Sequence, residues 1–186
     1  MIKIRQDKSA NYKAVFFNGK TIRMRLDNSK PILTPTNPEI EDVAINSKCL
    51  ANCSYCYTSA TKLGSNFDNI IEKAHLAWGS LPETERPFQI AIGGAGESTL
   101  HPDWVEFIKA THSLGIMPNY TTNGMHTDSA ILQTTETYCG GVAISYHPHI
   151  EKVFHKAIAD YSEIKTKLNV HVILGDEQSL KALQAI

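Results

Sequence analysis

From Asp42 onward the chain alternates two patterns: short apolar runs, and longer stretches whose apolar residues recur every three or four positions. The first suits a strand buried on both faces, the second an amphipathic helix. Asp42–Asn46, with Val43-Ala-Ile45 at its centre, predicts the first strand of this region. Ser65-Asn-Phe-Asp68 then resembles a capping box, opening a helix whose buried stripe is Ile70, Ile71, Ala74 and Trp78. Further strands are predicted at Phe88–Ile92, Met117–Thr121, Val142–Ser145 and Val170–Leu174. One helix begins at Pro102-Asp-Trp104, where proline suits the first turn and Gly115 the position past the end. Others cover Ser129–Thr135, Ile150–Lys167 and Ser179–Ile186. Five strand–helix steps describe a parallel α/β protein, in which ligands bind at the carboxyl ends of the strands.

The first 40 residues read differently. Tyr12–Phe17 and Thr21–Leu26 are rich in β-branched, aromatic and aliphatic residues, and Asn18-Gly19 between them supplies the two positive-φ positions of a type I′ turn. This is a β-hairpin, either an appendage for substrate or partner or a cover for the first edge of the parallel sheet. Pro31, Pro35 and Pro38 then make a stiff, extended linker. The chain therefore divides into 1–40, hairpin and linker, and 41–186, the α/β core.

Composition narrows the function classes. The 186 residues are 42% hydrophobic and 20% charged, the balance of a water-soluble globular protein. A net charge of −1 makes no electrostatic case for nucleic acid or an anionic membrane as partner. The N-terminus lacks the apolar core of a signal peptide, and no apolar run approaches the roughly 20 residues that span a bilayer. A cytoplasmic location without membrane contact is expected, where thiols stay reduced and clustered cysteines read as metal sites.

The chemically distinctive residues fall at the predicted strand ends. Cys49, Cys53 and Cys56 form a C-x3-C-x2-C run after the first strand. Three thiolates from one loop hold three corners of an iron–sulfur cube and leave the fourth iron open. Three cysteines plus a histidine also make a closed zinc shell, and Cys139 as fourth ligand would make a simple electron-transfer cluster. Cys139, however, precedes the fourth strand of the core, at the other end from the loop, and reads as a small buried hydrophobe. Gly93-Gly94-Ala-Gly96-Glu97 comes after the second strand, Thr121-Thr122-Asn123-Gly124 after the third, and Ser145-Tyr-His147 after the fourth. His147 and His149 lie within reach of a substrate or are ordinary loop histidines.

From about Glu41 to Glu177 the sequence resembles the core of radical S-adenosylmethionine (radical SAM) enzymes. The cysteine loop matches that family's C-x3-C-x-aromatic-C signature with Tyr55 as the aromatic. Ile92–Pro102 is similar to its glycine-rich stretch ending in Glu, and Thr121–Gly124 to a motif common after its third strand. The resemblance implies a partial (β/α) barrel of the radical SAM type with about five of the usual six βα units, carrying the N-terminal β-hairpin. The family's sixth strand and its later segments are missing here, so the chain reads as truncated. Ser98 stands where many members have proline.

It also implies a chemistry. A [4Fe–4S] cluster sits on Cys49, Cys53 and Cys56, and S-adenosyl-L-methionine chelates its open iron. One-electron cleavage gives a 5′-deoxyadenosyl radical that takes hydrogen from a substrate. Gly93, Gly94 and Gly96 let backbone approach the cofactor, and Glu97 suits the methionine ammonium. Thr122, Asn123 and Ser145 donate to the methionine carboxylate or ribose, and the Tyr55 backbone meets the adenine. Val172-Ile-Leu-Gly175 resembles a further adenine contact. Expected partners are a flavodoxin- or ferredoxin-type donor and a substrate that is a peptide, protein, nucleoside or small metabolite. The competing reading is a non-catalytic zinc- or iron–sulfur-binding module.

Overall fold

Tyr12, Ala14 and Phe16 alternate along one strand with Lys13, Val15 and Phe17, and only the first set is fully buried. A computed structural model describes residues 2–175, 180, 181 and 184. In it β2 (Tyr12–Phe17) is the centre of a three-stranded antiparallel sheet, between β1 (Ile2–Asp7) and β3 (Lys20–Arg25). The expected turn is present, with φ of 50° at Asn18 and 70° at Gly19. The added strand β1 carries a reversed pattern, burying Lys3 and Arg5 while Ile2 and Ile4 face solvent. Apolar periodicity alone does not find a strand of that kind.

This small sheet does not cover the first edge of the parallel sheet. Phe16 stacks on Phe88 with ring centroids 5.7 Å apart, and Met117 packs beside them. Phe88 and Met117 stand where two core strands begin, so the sheet closes the amino-terminal end of the core. Arg5 fastens it there: its guanidinium donates to the carbonyls of Asn37 and Pro38 at 2.7 and 2.8 Å and of Arg86 at 2.5 Å, and lies 4.7 Å over the Phe88 ring. Lys167 Nζ donates to Asn18 O at 2.6 Å from the other side.

The core is one parallel sheet in sequence order: β4 (Ile40–Val43), β5 (Gln89–Ile92), β6 (Met117–Thr122), β7 (Gly141–Ser145) and β8 (Leu168–His171). Two strands depart from the predicted positions. β4 starts before Asp42, leaving Ile45 as a buried loop residue, and β8 starts two positions before the predicted Val170. The connecting helices are α1 (Ile70–Ala74), continued by a π-type turn at His75–Gly79, α2 (Trp104–Ser113), α3 (Ser129–Tyr138) and α4 (Glu151–Ser162). The capping box at Ser65–Asp68 is not formed. Asn69, left-handed at φ 56°, precedes α1 without a side-chain cap, and Ser65 instead ties two arms of the cysteine loop together. Pro102 lies before the N-cap Asp103 rather than in the first turn of α2, whereas Gly115 takes the expected left-handed position with φ 74°. The helix predicted over Ser179–Ile186 falls largely outside the described residues.

Strand alternation sets the two faces of the sheet. Ile90, Ile92, Tyr120, Val142 and Ile144 pack against Trp104, Phe107, Phe154 and Tyr161 of the helices. Ala91, Asn119, Thr121 and Ser145 are less buried, and their small or polar side chains leave room at the carboxyl ends. Among the described residues no helix is long and apolar enough to cross a membrane.

Candidate active site

The cysteine loop leaves β4 and is held in place by backbone bonds. Cys49 N–H donates to Thr61 O at 2.9 Å, Ser47 N–H to Ser65 O at 2.9 Å, and Phe67 N–H to Ile45 O at 2.9 Å, closing the loop on itself. Glu97 N–H donates to Lys48 O at 2.8 Å, and the buried Asn46 returns its Nδ2 to Glu97 O at 2.8 Å. Loop and glycine-rich turn are thereby one unit. Gly96 is the reason they fit: a Cβ there would lie 2.6 Å from Lys48 O and 2.7 Å from Asn46 Oδ1. Its missing side chain makes room for protein, not for a ligand as the sequence suggested. Gly94 differs, with φ 83° and only Tyr57 Oη near its would-be Cβ, at 3.9 Å.

All eleven candidate residues of the sequence line a single cavity of about 190 Å³: Cys49, Cys53 and Cys56; Tyr55; Gly93, Gly94, Gly96 and Glu97; Thr122, Asn123 and Ser145. They arrive from four strand ends, and Ile173, after the fifth, joins them. Cys139 lies apart at the end of α3, where burial among apolar side chains pushes its thiol well up.

Glu97 is the buried hub. Its Oε1 accepts from Thr99 Oγ1 at 2.7 Å and Thr122 Oγ1 at 2.9 Å, and its Oε2 from the backbone N–H of Asn123 at 2.7 Å. Thr122 Oγ1 in turn accepts from Gly124 N–H at 3.0 Å. With its one proton directed to Glu97, Thr122 is not the free donor to methionine or ribose that the sequence suggested; it orients the carboxylate. Asn123 is also committed: Oδ1 accepts from Met125 N–H at 2.9 Å, which turns Nδ2 to Cys49 Sγ at 3.5 Å. Ser145 Oγ makes no hydrogen bond among the described residues and opens on the cavity.

The thiols differ in surroundings. Burial pushes Cys49 and Cys53 up, while the Thr58 hydroxyl, 3.3 Å from Cys56 Sγ, leads the contacts that bring Cys56 down. Thr58 Oγ1 also lies 3.1 Å from Ala95 O, a second tie between loop and turn. The histidines past β7 hold the loop from the opposite wall. His147 Nδ1 is 2.9 Å from Tyr55 Oη and 3.6 Å from Cys53 Sγ, and His149 Nε2 is 2.7 Å from Ala51 O. Burial, with His149 beside it, pushes His147 down. Among the described residues no three His, Cys, Asp or Glu side chains converge on a single-ion position.

Sequence reading missed Asn46, Thr58 and Thr99. Thr99 has a local signal, a hydroxyl two residues past a carboxylate. Asn46 has none, because its partner is 51 positions away.

Neither a protein-family profile nor a curated sequence matches this chain. Solved structures do. SuiB of Streptococcus suis bound to S-adenosylmethionine superposes with a TM-score of 0.71 at 13% identity, over 98% of this chain and 58% of SuiB. BtrN in complex with AdoMet and 2-DOIA gives 0.57 at 22% identity, over 74% of this chain and 58% of BtrN. The anSMEcpe enzyme with bound AdoMet gives 0.53 at 17% identity, over 70% and 43%. This chain has the radical SAM fold. It spans little more than half the length of SuiB and BtrN, and its five parallel strands correspond to a partial barrel of that fold. SuiB has also been solved bound to its precursor peptide SuiA, and anSMEcpe with AdoMet and the Cp18Cys peptide.

Proposed function

We propose that this chain is the core of a radical SAM enzyme, with a [4Fe–4S] cluster on Cys49, Cys53 and Cys56 and S-adenosylmethionine in the cavity beside it. The observation that carries this reading is the meeting of the three cysteines, Glu97, Asn123 and Ser145 around one cavity in a radical SAM fold. The donor set fits the cluster. Three thiols from one loop line the cavity, and the Asn123 amide N–H points at one of them.

Bound there, the cluster and S-adenosylmethionine would supply one-electron, hydrogen-abstracting radical chemistry toward a substrate. The residues of the chain prepare the site. Glu97 is held in place by donors from Thr99, Thr122 and Asn123, with lone pairs on Oε2 left for the methionine ammonium. Ser145 offers its hydroxyl to the carboxylate or ribose. Gly94 keeps the turn open where backbone must approach the cofactor, and the Tyr55–His147 pair clamps the cysteine loop to β7. The substrate is a peptide, protein, nucleoside or small metabolite; a flavodoxin- or ferredoxin-type protein supplies the electron in the cytoplasm.

Anaerobic reconstitution with iron and sulfide tests the reading. About four irons per chain and dithionite-dependent release of 5′-deoxyadenosine are expected, both lost when any of the three cysteines becomes alanine. One tight, colourless zinc per chain with no cofactor cleavage would replace it with the binding-module reading.

A further inference from the structure

The register of the N-terminal sheet leaves an apolar face in solvent. Cross-strand pairing sets Ile2 opposite Phe17, Ile4 opposite Val15, and Val15 opposite Ile22, all on the face turned away from the core. Met24 completes it, paired to Lys13. Ile2, Ile4, Phe17 and Ile22 are each half or more exposed, at 65, 54, 50 and 62%. Scattered apolar side chains on a surface need no explanation, but a contiguous patch on three adjacent strands marks an interaction surface.

The patch is not a by-product of crowding inside. A shift of one residue in β1 would turn Ile2 and Ile4 inward. The observed register buries Lys3 and Arg5 instead, with the Arg5 guanidinium satisfied by backbone carbonyls and stacked over Phe88. Placing a cation inside and isoleucines outside opposes the usual hydrophobic drive, and a partner on the outer face would restore it.

The same face states what that partner is. Its polar positions are Lys13, Lys20 and Gln6, with no carboxylate, and neither lysine has an ion-pair partner among the described residues. Three strands at about 4.8 Å spacing present a surface about 10 Å across, the width of one α-helix. We propose that this face docks an amphipathic helix of a partner polypeptide whose apolar stripe is bordered by Asp or Glu. A second copy of the chain would bring the same two cations and no anion. The face lies at the amino-terminal end of the core, opposite the cysteine loop, so the contact recruits or anchors rather than entering the cavity, and it stands apart from the chemistry proposed there.

The test uses two synthetic helical peptides of about five turns with one leucine stripe, bordered by Glu in one and by Lys in the other. Fluorescence anisotropy at low salt is expected to show saturable binding of the Glu-bordered peptide, at least about tenfold tighter than the Lys-bordered one. Ile4→Ser with Ile22→Ser, and separately Lys13→Glu with Lys20→Glu, are each expected to weaken it at least about tenfold while circular dichroism stays unchanged. Equal binding of both peptides, or none, overturns the proposal. So does a wild-type dimer in sedimentation that Ile4→Ser with Ile22→Ser dissolves, since the occupant is then a second copy.

Discussion

Asn123 Nδ2 donates toward Cys49 Sγ across 3.5 Å, and its orientation is fixed because Oδ1 of the same amide accepts from Met125 N–H at 2.9 Å. The turn after β6 and the cysteine loop, joined here by residues 74 positions apart, therefore meet at a sulfur. Hydrogen bonds to cluster sulfurs stabilise the more negative, reduced state. Asn123→Asp keeps the acceptor for Met125 and removes the donor. In reconstituted protein its potential is expected to fall by on the order of tens of millivolts, read by electron paramagnetic resonance during redox titration. An unchanged potential would mean that the amide does not act on the sulfur.

Glu97 is surrounded by donors: Thr99 Oγ1, Thr122 Oγ1 and the Asn123 N–H. Glu97→Gln replaces one acceptor oxygen with an NH2 that meets a donor head-on. Loss of about 1–3 kcal/mol is expected in urea unfolding, together with loss of S-adenosylmethionine binding in calorimetry. Thr122→Val should lose less of either, because it removes one donor and leaves the carboxylate its others.

At Gly96 the added methyl of alanine would press on Lys48 O and Asn46 Oδ1, both on the cysteine loop. Gly96→Ala is expected to destabilise the fold by about 1–3 kcal/mol and to lower iron uptake on reconstitution. If Gly96→Ala loads iron normally and unfolds like wild type, Gly96 is not what holds loop and turn together.

Lys3 sits buried under the N-terminal sheet, donating to Pro87 O at 3.4 Å, and burial pushes its ammonium down to about 8. The unfolded chain keeps that proton to its ordinary value near 10.4. Between these values the unfolded state binds more protons, so stability rises with pH from about 8 to 10.4 and is flat below. Lys3→Met is expected to remove that rise and to add about 1–2 kcal/mol at pH 7, as seen in urea unfolding across the range.

The sequence by itself determined the βα alternation, the type I′ turn at Asn18-Gly19, and eleven of the residues that line the cavity. Each rests on a local rule: hydrophobic period, positive φ, or residue type placed at a strand end. The strands β4 and β8 were displaced because pairing, not apolar content, sets where a strand begins: Ile40 pairs with Gln89 and Leu168 with Val142. The capping box at Ser65 is absent: the Ser65 N–H, which such a box would give to Asp68, donates to Ser47 Oγ across the loop at 3.1 Å.

Only the tertiary structure decided what each cavity residue does. Thr122 became the support of Glu97, Asn123 the donor to Cys49, and Gly96 a packing contact with Lys48. It also set the small sheet against the amino-terminal end of the core, with Arg5 inside and Ile4 outside. A hydrogen bond or a close contact joins residues far apart in sequence, and one-dimensional periodicity carries no record of which donor reaches which acceptor.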